Sequence, residues 1–95
     1  MALILRIKSK DGQTAEIPVD VGIVIGRSPA ARLQLDDPKL SGRHAQIELN
    51  AAGQFVITDL GSTNGIRHKE KRVQQLVLES GVEFKMGNSL FYVFG

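Results

Sequence analysis

The chain has 95 residues, of which twelve are basic, ten are acidic and none is cysteine, and its formal net charge is +2. This length suits one domain with a two-layer core, and we expect residues 1–95 to form it, either as a minimal protein or as part of a longer one. The balanced charge argues against general binding to nucleic acid or membranes, and no run approaches the roughly 20 apolar residues of a membrane span. The absence of cysteine excludes disulfides and thiolate chemistry and fits a reducing cytoplasm, which is the expected location.

Apolar and polar residues alternate with a period of two, which predicts β-strands along the chain. In the first of these, Leu3, Leu5 and Ile7 share one face. The Asp11-Gly12 pair predicts the turn to a second strand at residues 14–19. Further strands are expected, in chain order, at residues 22–26, 32–35, 45–50, 54–59, 76–78, 82–86 and 90–94.

Turn residues separate the predicted strands. Residues 50–53 and the Asn64-Gly65 pair are expected as turns, and residues 69–72 (Lys-Glu-Lys-Arg) as an exposed turn with Val73 isolated after it. No window supports a helix longer than one turn. Many short strands punctuated by glycine are typical of an all-β sandwich or barrel.

Three segments at the ends of predicted strands combine hydrogen-bond donors with glycine. They are Gly26-Arg27, residues 40–44 (Leu-Ser-Gly-Arg-His) and residues 59–65 (Asp-Leu-Gly-Ser-Thr-Asn-Gly). Donor side chains beside glycines that permit close backbone approach are typical of anion-binding loops. In this order the segments resemble the signature of the forkhead-associated (FHA) domain family, whose members are phosphothreonine-peptide binding modules. The resemblance implies a β-sandwich of two mostly antiparallel twisted sheets with binding loops at one end.

The residues expected to bind phosphate follow from side-chain chemistry and from this resemblance. The Arg27 guanidinium offers a planar fork of donors that matches phosphate, and Ser41 offers a hydroxyl and a backbone N–H. Taken singly, Arg27 could be an ordinary surface arginine and Ser41 an ordinary turn residue. The resemblance implies that the Gly42 backbone and Thr63 help to hold the phosphate. It also implies that the Asn64 amide hydrogen-bonds the peptide main chain.

Other residues of the three segments are expected to support the site. By resemblance, His44 braces the binding loops without touching phosphate. Gly26 and Gly65 serve the local backbone, and Arg43 and Ser62 are candidates for accessory contacts. The resemblance further implies a small pocket for the phosphothreonine methyl group, which would disfavour phosphoserine.

The chain departs from the family pattern at three places. Gly42 stands where FHA domains often carry a side chain that also contacts phosphate, and losing one charge-assisted hydrogen bond weakens binding by about 1.5–3 kcal/mol. Ile66 stands where a threonine commonly follows the Asn-Gly pair in FHA domains. Residues 67–72 (Arg-His-Lys-Glu-Lys-Arg) are unusually basic and form either a solvated hairpin or a patch that prefers acidic residues near the phosphothreonine or another acidic partner.

The leading functional hypothesis is a non-enzymatic module that recognises phosphothreonine in another protein or in the same chain. It implies an upstream Ser/Thr kinase and no cofactor. The main alternative is an FHA-like scaffold that binds a partner independently of phosphate. The absence of a side chain at Gly42 is the sequence feature that supports this alternative. A hydrolase using Ser41, His44 and Asp59 is more remote, because no nucleophile elbow accompanies these residues. Two histidines and no cysteine do not favour a metal site.

Overall fold

The computed structural model describes residues 2–95 and arranges them as an all-β sandwich of two sheets. The eleven strands of this described part are β1 (Ile4–Lys8), β2 (Thr14–Pro18), β3 (Val24–Gly26), β4 (Leu33–Gln34), β5 (Ala45–Leu49), β6 (Phe55–Asp59), β7 (Ile66–His68), β8 (Lys71–Val73), β9 (Gln75–Val77), β10 (Glu83–Met86) and β11 (Ser89–Phe94). Residues 2–95 contain no helix long and apolar enough to cross a membrane. The predicted fold class is confirmed.

Both sheets are built mainly from antiparallel neighbours. One has six strands in the order β2-β1-β11-β10-β7-β8, and the other has five in the order β4-β3-β5-β6-β9. Within the described residues, the parallel pair is β3 with β4. Strand β3 pairs with β5, and β5 pairs with β6, so the end of β3, the start of β5 and the end of β6 lie at the same edge.

The core forms where the apolar faces of the two sheets meet. Alternation along β1 buries Leu5 and Ile7 and leaves Arg6 and Lys8 exposed, as the sequence predicts. Phe84 and Phe91 stack with ring centroids 5.0 Å apart and are the aromatic part of an otherwise mainly aliphatic core. The remaining members of the buried cluster are Val19, Ile23, Ile25, Leu40, Ala45, Ile47, Ile57, Ile66, Leu78, Met86 and Val93.

The structure differs from the prediction that residues 69–72 form one exposed turn. Only Lys69 and Glu70 form the turn, while Lys71 and Arg72 continue with Val73 into β8 and pair with β7. Lys69 and Glu70 have positive φ values of 50° and 66°. Two positive φ values in a two-residue loop are characteristic of a type I′ hairpin, for which Asn-Gly is the usual sequence signal. The polar Lys-Glu pair lacks that signal, so the hairpin could not be recognised.

Candidate functional site

Three loops meet at the sheet edge where β3 ends, β5 starts and β6 ends. Loop 1 is residues 27–32, loop 2 is residues 35–44 and loop 3 is residues 60–65. Antiparallel pairing of β5 with both β3 and β6 brings them together, since Ala45 is opposite both Ile25 and Asp59. The three predicted anion-binding segments therefore form one surface.

Backbone hydrogen bonds join these loops around Ser41. Loop 1 donates to loop 2 twice, from Arg27 N to Ser41 O at 3.0 Å and from Ser28 N to Gly42 O at 3.1 Å. Loop 3 donates to loop 2 from Thr63 N to the Ser41 hydroxyl oxygen at 3.1 Å. That oxygen accepts a hydrogen bond and the hydroxyl donates to no group of residues 2–95, so its proton is available to a ligand.

His44 connects loop 2 to loop 3 from inside the protein, where it is fully buried. Its Nδ1 accepts from Ser41 N at 3.2 Å, so the ring hydrogen lies on Nε2, which donates to Gly65 O at 2.8 Å. The His44 backbone also donates to Ile25 O at 2.9 Å and accepts from Leu60 N at 3.0 Å. The residue thus links β3, loop 2 and loop 3.

Gly26 and Gly42, which lie where loops 1 and 2 meet, differ in the space available for a Cβ atom. A Cβ at residue 26 would collide with the backbone oxygen of Gly42, so only glycine permits this close approach. A Cβ at residue 42 would meet Ser28 Cβ at 3.7 Å, which is an ordinary contact. The fold therefore has room for a Cβ at position 42.

Ser62 and Asp59 shape loop 3 from within. The buried Ser62 hydroxyl donates to Asp59 Oδ1 and accepts from Gly65 N at 2.9 Å. Ser62 N also donates to Asp59 Oδ1, at 3.3 Å. The Ser62 hydroxyl is therefore engaged in holding the turn, which differs from the accessory contact suggested by the sequence. Arg43, the other accessory candidate, is exposed.

The hydrolytic arrangement of Ser41, His44 and Asp59 is not formed. Within residues 2–95, the His44 ring bonds the Ser41 backbone and Gly65 O, and not the Ser41 hydroxyl. The Asp59 carboxylate bonds Ser62, and not His44. A triad needs a base that contacts the nucleophile and an acid that orients the base, and neither contact is present.

Donors without a protein partner lie where the three loops meet. Arg27 and Thr63 are exposed, and Gly42 is partly exposed. Across residues 2–95, the Arg27 guanidinium, the Gly42 N–H and the Thr63 hydroxyl have no protein hydrogen-bond partner. Together with the Ser41 hydroxyl, these groups offer a positive charge and several donors to an anion with multiple oxygens.

Asn64 lies beside these donors and contacts loop 2 through its amide. Its Nδ2 donates to Lys39 O at 2.7 Å. The amide oxygen has no donor among residues 2–95 and can accept from an N–H of an extended chain. The side chain is therefore held in place with one polar atom available.

Arg72 is a supporting residue that the sequence did not identify. Its guanidinium donates to Ser62 O at 3.1 Å and to Thr63 O at 3.4 Å. It also lies against Gly65, where an added Cβ would collide with the arginine side chain. Only the pairing of β7 with β8 brings Arg72 to loop 3, and no local sequence signal marks that contact.

Asp37 is a second supporting residue that the sequence did not identify. It is buried, and its carboxylate accepts from Lys39 N at 2.9 Å, Asn88 N at 2.8 Å and the Ser89 hydroxyl at 2.7 Å. Burial acts to raise the pKa of Asp37, but these hydrogen bonds, led by that from Ser89, together lower it below 3.8. Asp37 thereby fixes loop 2 to the β10–β11 turn.

Two concave regions adjoin the three-loop surface. The larger, about 730 Å³, lies between the β1–β2 hairpin and the start of loop 2 and includes Ile7, Leu35 and Asp36. The smaller, about 180 Å³, lies beside Asn64 and includes Lys39, Arg67 and Lys85. No group of three or more histidine, cysteine or acidic residues that could hold a metal ion occurs in residues 2–95.

Comparison with known proteins places this geometry in a family. The FHA domain model matches residues 23–87. The oxoglutarate dehydrogenase inhibitor of Corynebacterium efficiens is 37% identical over 62 residues, which make up 65% of this chain and 43% of that protein. The chain thus spans about two-fifths of the length of the curated relatives it matches.

Solved structures of FHA domains share this fold over the whole chain. The FHA domain of CT664 protein from Chlamydia trachomatis superposes with a TM-score of 0.85 at 26% identity, covering 100% of this chain and 98% of that one. A chain from a structural and functional analysis of phosphothreonine-dependent FHA domain interactions gives 0.82 at 27% identity, covering 100% and 97%. The resemblance seen in the sequence is confirmed.

Proposed function

This chain belongs to the FHA domain family, and we propose that it is a non-catalytic module that recognises phosphothreonine in an extended peptide. The observation that carries the proposal is the set of donors without a protein partner where three hydrogen-bonded loops meet. Arg27 supplies the charge, and Ser41, Gly42 and Thr63 supply further donors. Such a preformed set matches a phosphate, whose oxygens accept several hydrogen bonds.

Recognition by these residues depends on phosphorylation. Phosphate adds about −1.5 to −2 charges and three strong acceptor oxygens that an unmodified threonine lacks. The Arg27 fork and the Ser41 hydroxyl bind those oxygens, with the Gly42 N–H and Thr63 beside them. The positions of the loops are set by buried contacts, so little ordering is needed on binding.

Asn64 fixes the peptide main chain next to the phosphate. Its amide oxygen accepts a main-chain N–H, while its Nδ2 remains bonded to Lys39 O. A main-chain contact is independent of the peptide's side chains, so it aligns the ligand without selecting its sequence.

The comparisons support a signalling role of this kind. One solved relative comes from work on phosphothreonine-dependent FHA domain interactions, and one curated relative is an enzyme inhibitor. For this chain we propose a phosphorylated protein as the partner, in another molecule or in the same one, with a Ser/Thr kinase upstream. The cytoplasm is the compartment in which we expect this recognition.

Calorimetric titration tests the proposal with phosphothreonine, phosphoserine and unmodified versions of a degenerate peptide library. We expect micromolar binding of the phosphothreonine library, corresponding to about 8 kcal/mol. Arg27→Ala should weaken it by about 100-fold, because a bidentate charge-assisted contact is lost. Arg32→Ala, which removes another exposed arginine of loop 1, is the matched control and should bind like the wild type.

A phosphate-independent scaffold is the second candidate, and one observation favours it. Position 42 has space for a Cβ but carries no side chain, so the site has one contact fewer than many of its relatives are expected to have. Equal binding of phosphorylated and unmodified peptides, unchanged by Arg27→Ala, would establish this alternative and contradict phosphothreonine recognition.

A further inference from the structure

An open groove of about 730 Å³ lies at one corner of the sandwich, where an edge of each sheet ends. The strand orders place β2 at one end of the six-stranded sheet and β4 at one end of the five-stranded sheet. Thr14 and Ala15 of β2 and Gln34 of β4 line the groove. Its volume is typical of ligand-binding clefts. Neither Asn64 nor any residue proposed to bind phosphate lines it, so this groove is distinct from the proposed phosphothreonine site.

The floor of the groove is apolar and incompletely covered. Ala15 is directly opposite the buried Ile7 in the β1–β2 register, so both side chains lie on the inner face of the sheet, yet Ala15 is exposed. Two residues further along that face, Ile17 is half-buried and packs against the core. Leu35, at the start of loop 2, is half-buried and lines the groove together with Ile7. The sandwich therefore closes over Ile17 and opens at Ala15, which leaves apolar surface accessible to a ligand.

The edge of β2 beside the groove has free backbone groups. In an antiparallel pair, residues bonded to the partner strand alternate with residues whose N–H and C=O point away from it. The hydrogen bond from Val19 N to Leu3 O, at 2.8 Å, sets this alternation for β1 and β2. The backbone groups of Thr14, Glu16 and Pro18 therefore point away from β1, and among residues 2–95 no strand pairs with that side. Pro18 has no N–H, so the edge can accept a short strand at Thr14 and Glu16.

The rim of the groove is negative, although the chain as a whole has a net charge of +2. Asp11, Asp36 and Asp37 line the groove with a single cation, Lys10. Within residues 2–95 none of these carboxylates forms an ion pair. Asp37 accepts its hydrogen bonds from neutral groups, which leave its negative charge in place. Pairing of β2 with a second copy of itself would bring two such rims together, so a cationic partner is favoured.

We propose that this groove binds an extended segment of a partner protein, which adds a strand to β2 and carries apolar side chains flanked by lysine or arginine. Main-chain hydrogen bonds to Thr14 and Glu16 align the segment. Its apolar side chains cover Ala15 and Leu35, and its cations meet the carboxylates of the rim. This inference goes beyond phosphothreonine recognition and does not depend on it, because the two surfaces share none of the residues that bind the ligands.

Amide NMR of the protein during titration with a designed peptide tests the proposal. The probe is Arg-Thr-Val-Thr-Val-Thr-Arg, in which two valines flanked by arginines share one face of a strand. Because an arginine stands at each end, either direction of the probe brings a cation to the rim. We expect a dissociation constant of about 1 mM or tighter, with the largest shifts at the amides of Thr14, Glu16 and Asp36. Two control peptides, one with glutamate in place of arginine and one with the two valines adjacent, should bind about fivefold more weakly or worse.

Variants locate the binding in the groove. Ala15→Lys places a cation where the valines of the probe pack and should weaken binding by about tenfold or more. Val21→Lys is the matched control, since it adds the same side chain at an exposed position that does not line the groove, and it should bind like the wild type. The double variant Asp11→Asn/Asp36→Asn keeps the size of both side chains and should weaken binding by about fivefold. An unchanged amide spectrum of the core verifies that each variant is folded.

Several outcomes would overturn the proposal. The absence of shifts at β2 with the probe at about 5 mM would do so, as would equal binding of the probe and both control peptides. Wild-type affinity in both Ala15→Lys and the double aspartate variant would also contradict it. Sedimentation of the protein alone tests the other occupant, since a dimer that Ala15→Lys converts to monomers would assign the groove to a second copy of this chain instead.

Discussion

The three-loop surface and the smaller concave region beside it, which carries Lys39, Arg67 and Lys85, share Asn64 but are built in different ways. Buried groups hold the loops, with His44 bonded on both sides and Ser62 bonded to Asp59 and Gly65. The smaller region has exposed cations without an acidic partner, Arg67 on β7 and Lys85 on the neighbouring strand β10. Strand β7 continues into a hairpin whose turn has positive φ at two non-glycine residues.

This difference suggests how the molecule divides recognition between its parts. A buried, fully bonded network is costly to disturb, which suits a contact whose geometry must be the same for every ligand. Long exposed cations retain rotamer freedom, so each contact that they make contributes little free energy. Substitutions of the buried, hydrogen-bonded residues of the first region should therefore change stability and binding together, whereas substitutions of the exposed cations should leave stability nearly unchanged.

The largest effect is expected from removing the buried histidine. His44→Ala leaves Ser41 N and Gly65 O without their partner and opens a cavity, so the free energy of unfolding should fall by about 3–5 kcal/mol. Urea denaturation at neutral pH measures this. His68→Ala, which removes the other histidine and its contact with Glu83 O, should cost about 1 kcal/mol or less. Similar losses for the two variants would contradict the role of His44 as the buried residue that holds loops 2 and 3 together.

The next largest effect concerns the two glycines between loops 1 and 2. Gly26→Ala forces a Cβ against Gly42 O, and we expect a loss of about 3 kcal/mol with loss of phosphopeptide binding. Gly42→Ala adds the same methyl group where it fits, so stability should change by about 0.5 kcal/mol or less. Chemical denaturation and calorimetry on both proteins give the comparison. Equal tolerance at the two positions would mean that the close approach of the loops is not required.

A smaller, pH-dependent effect is expected at Asp37. Its pKa is lowered in the folded protein, so its carboxylate contributes stability above its ordinary pKa of 3.8, and this contribution is lost as the pH falls through the folded value. Asp37→Asn should cost about 1–3 kcal/mol at pH 7, and the gap to the wild type should narrow in acid below pH 3.8. Denaturation across this pH range measures the gap. Asp36→Asn, at the exposed neighbouring carboxylate, should show no such gap, and a constant gap for Asp37→Asn would contradict the assignment.

The smallest effect is a gain in stability at the β7–β8 turn. Replacing Lys69 and Glu70 with the Asn-Gly pair preferred by type I′ turns should relieve strain at two positive φ values and stabilise the fold by about 1 kcal/mol. Thermal unfolding detects the change, and phosphopeptide affinity should stay the same. A destabilised protein, or one that loses phosphothreonine binding, would mean that this turn contributes to the three-loop surface.

The sequence predicted those features that depend on short, repeated or characteristic patterns. Alternation located most strands, and the spacing of Gly26-Arg27, residues 40–44 and residues 59–65 identified the loops that the fold brings together. Arg72 and Asp37 could not be predicted, because each contacts loops that are distant in sequence and whose position depends on strand pairing. The contact between the Ser62 hydroxyl and Asp59 could not be predicted either, because it depends on the burial of both residues in the folded loop.

The central claim is that the meeting point of the three loops is the phosphate site, and amide NMR during titration with a phosphothreonine peptide tests it most directly. We expect shifts concentrated at residues 26–28, 41–44 and 62–65, with a large downfield change at the unpartnered Gly42 N–H as it bonds phosphate. The unmodified peptide should leave these amides unchanged. Shifts concentrated instead on the outer face of β11, around Leu90 and Tyr92, or identical shifts with both peptides, would contradict the account.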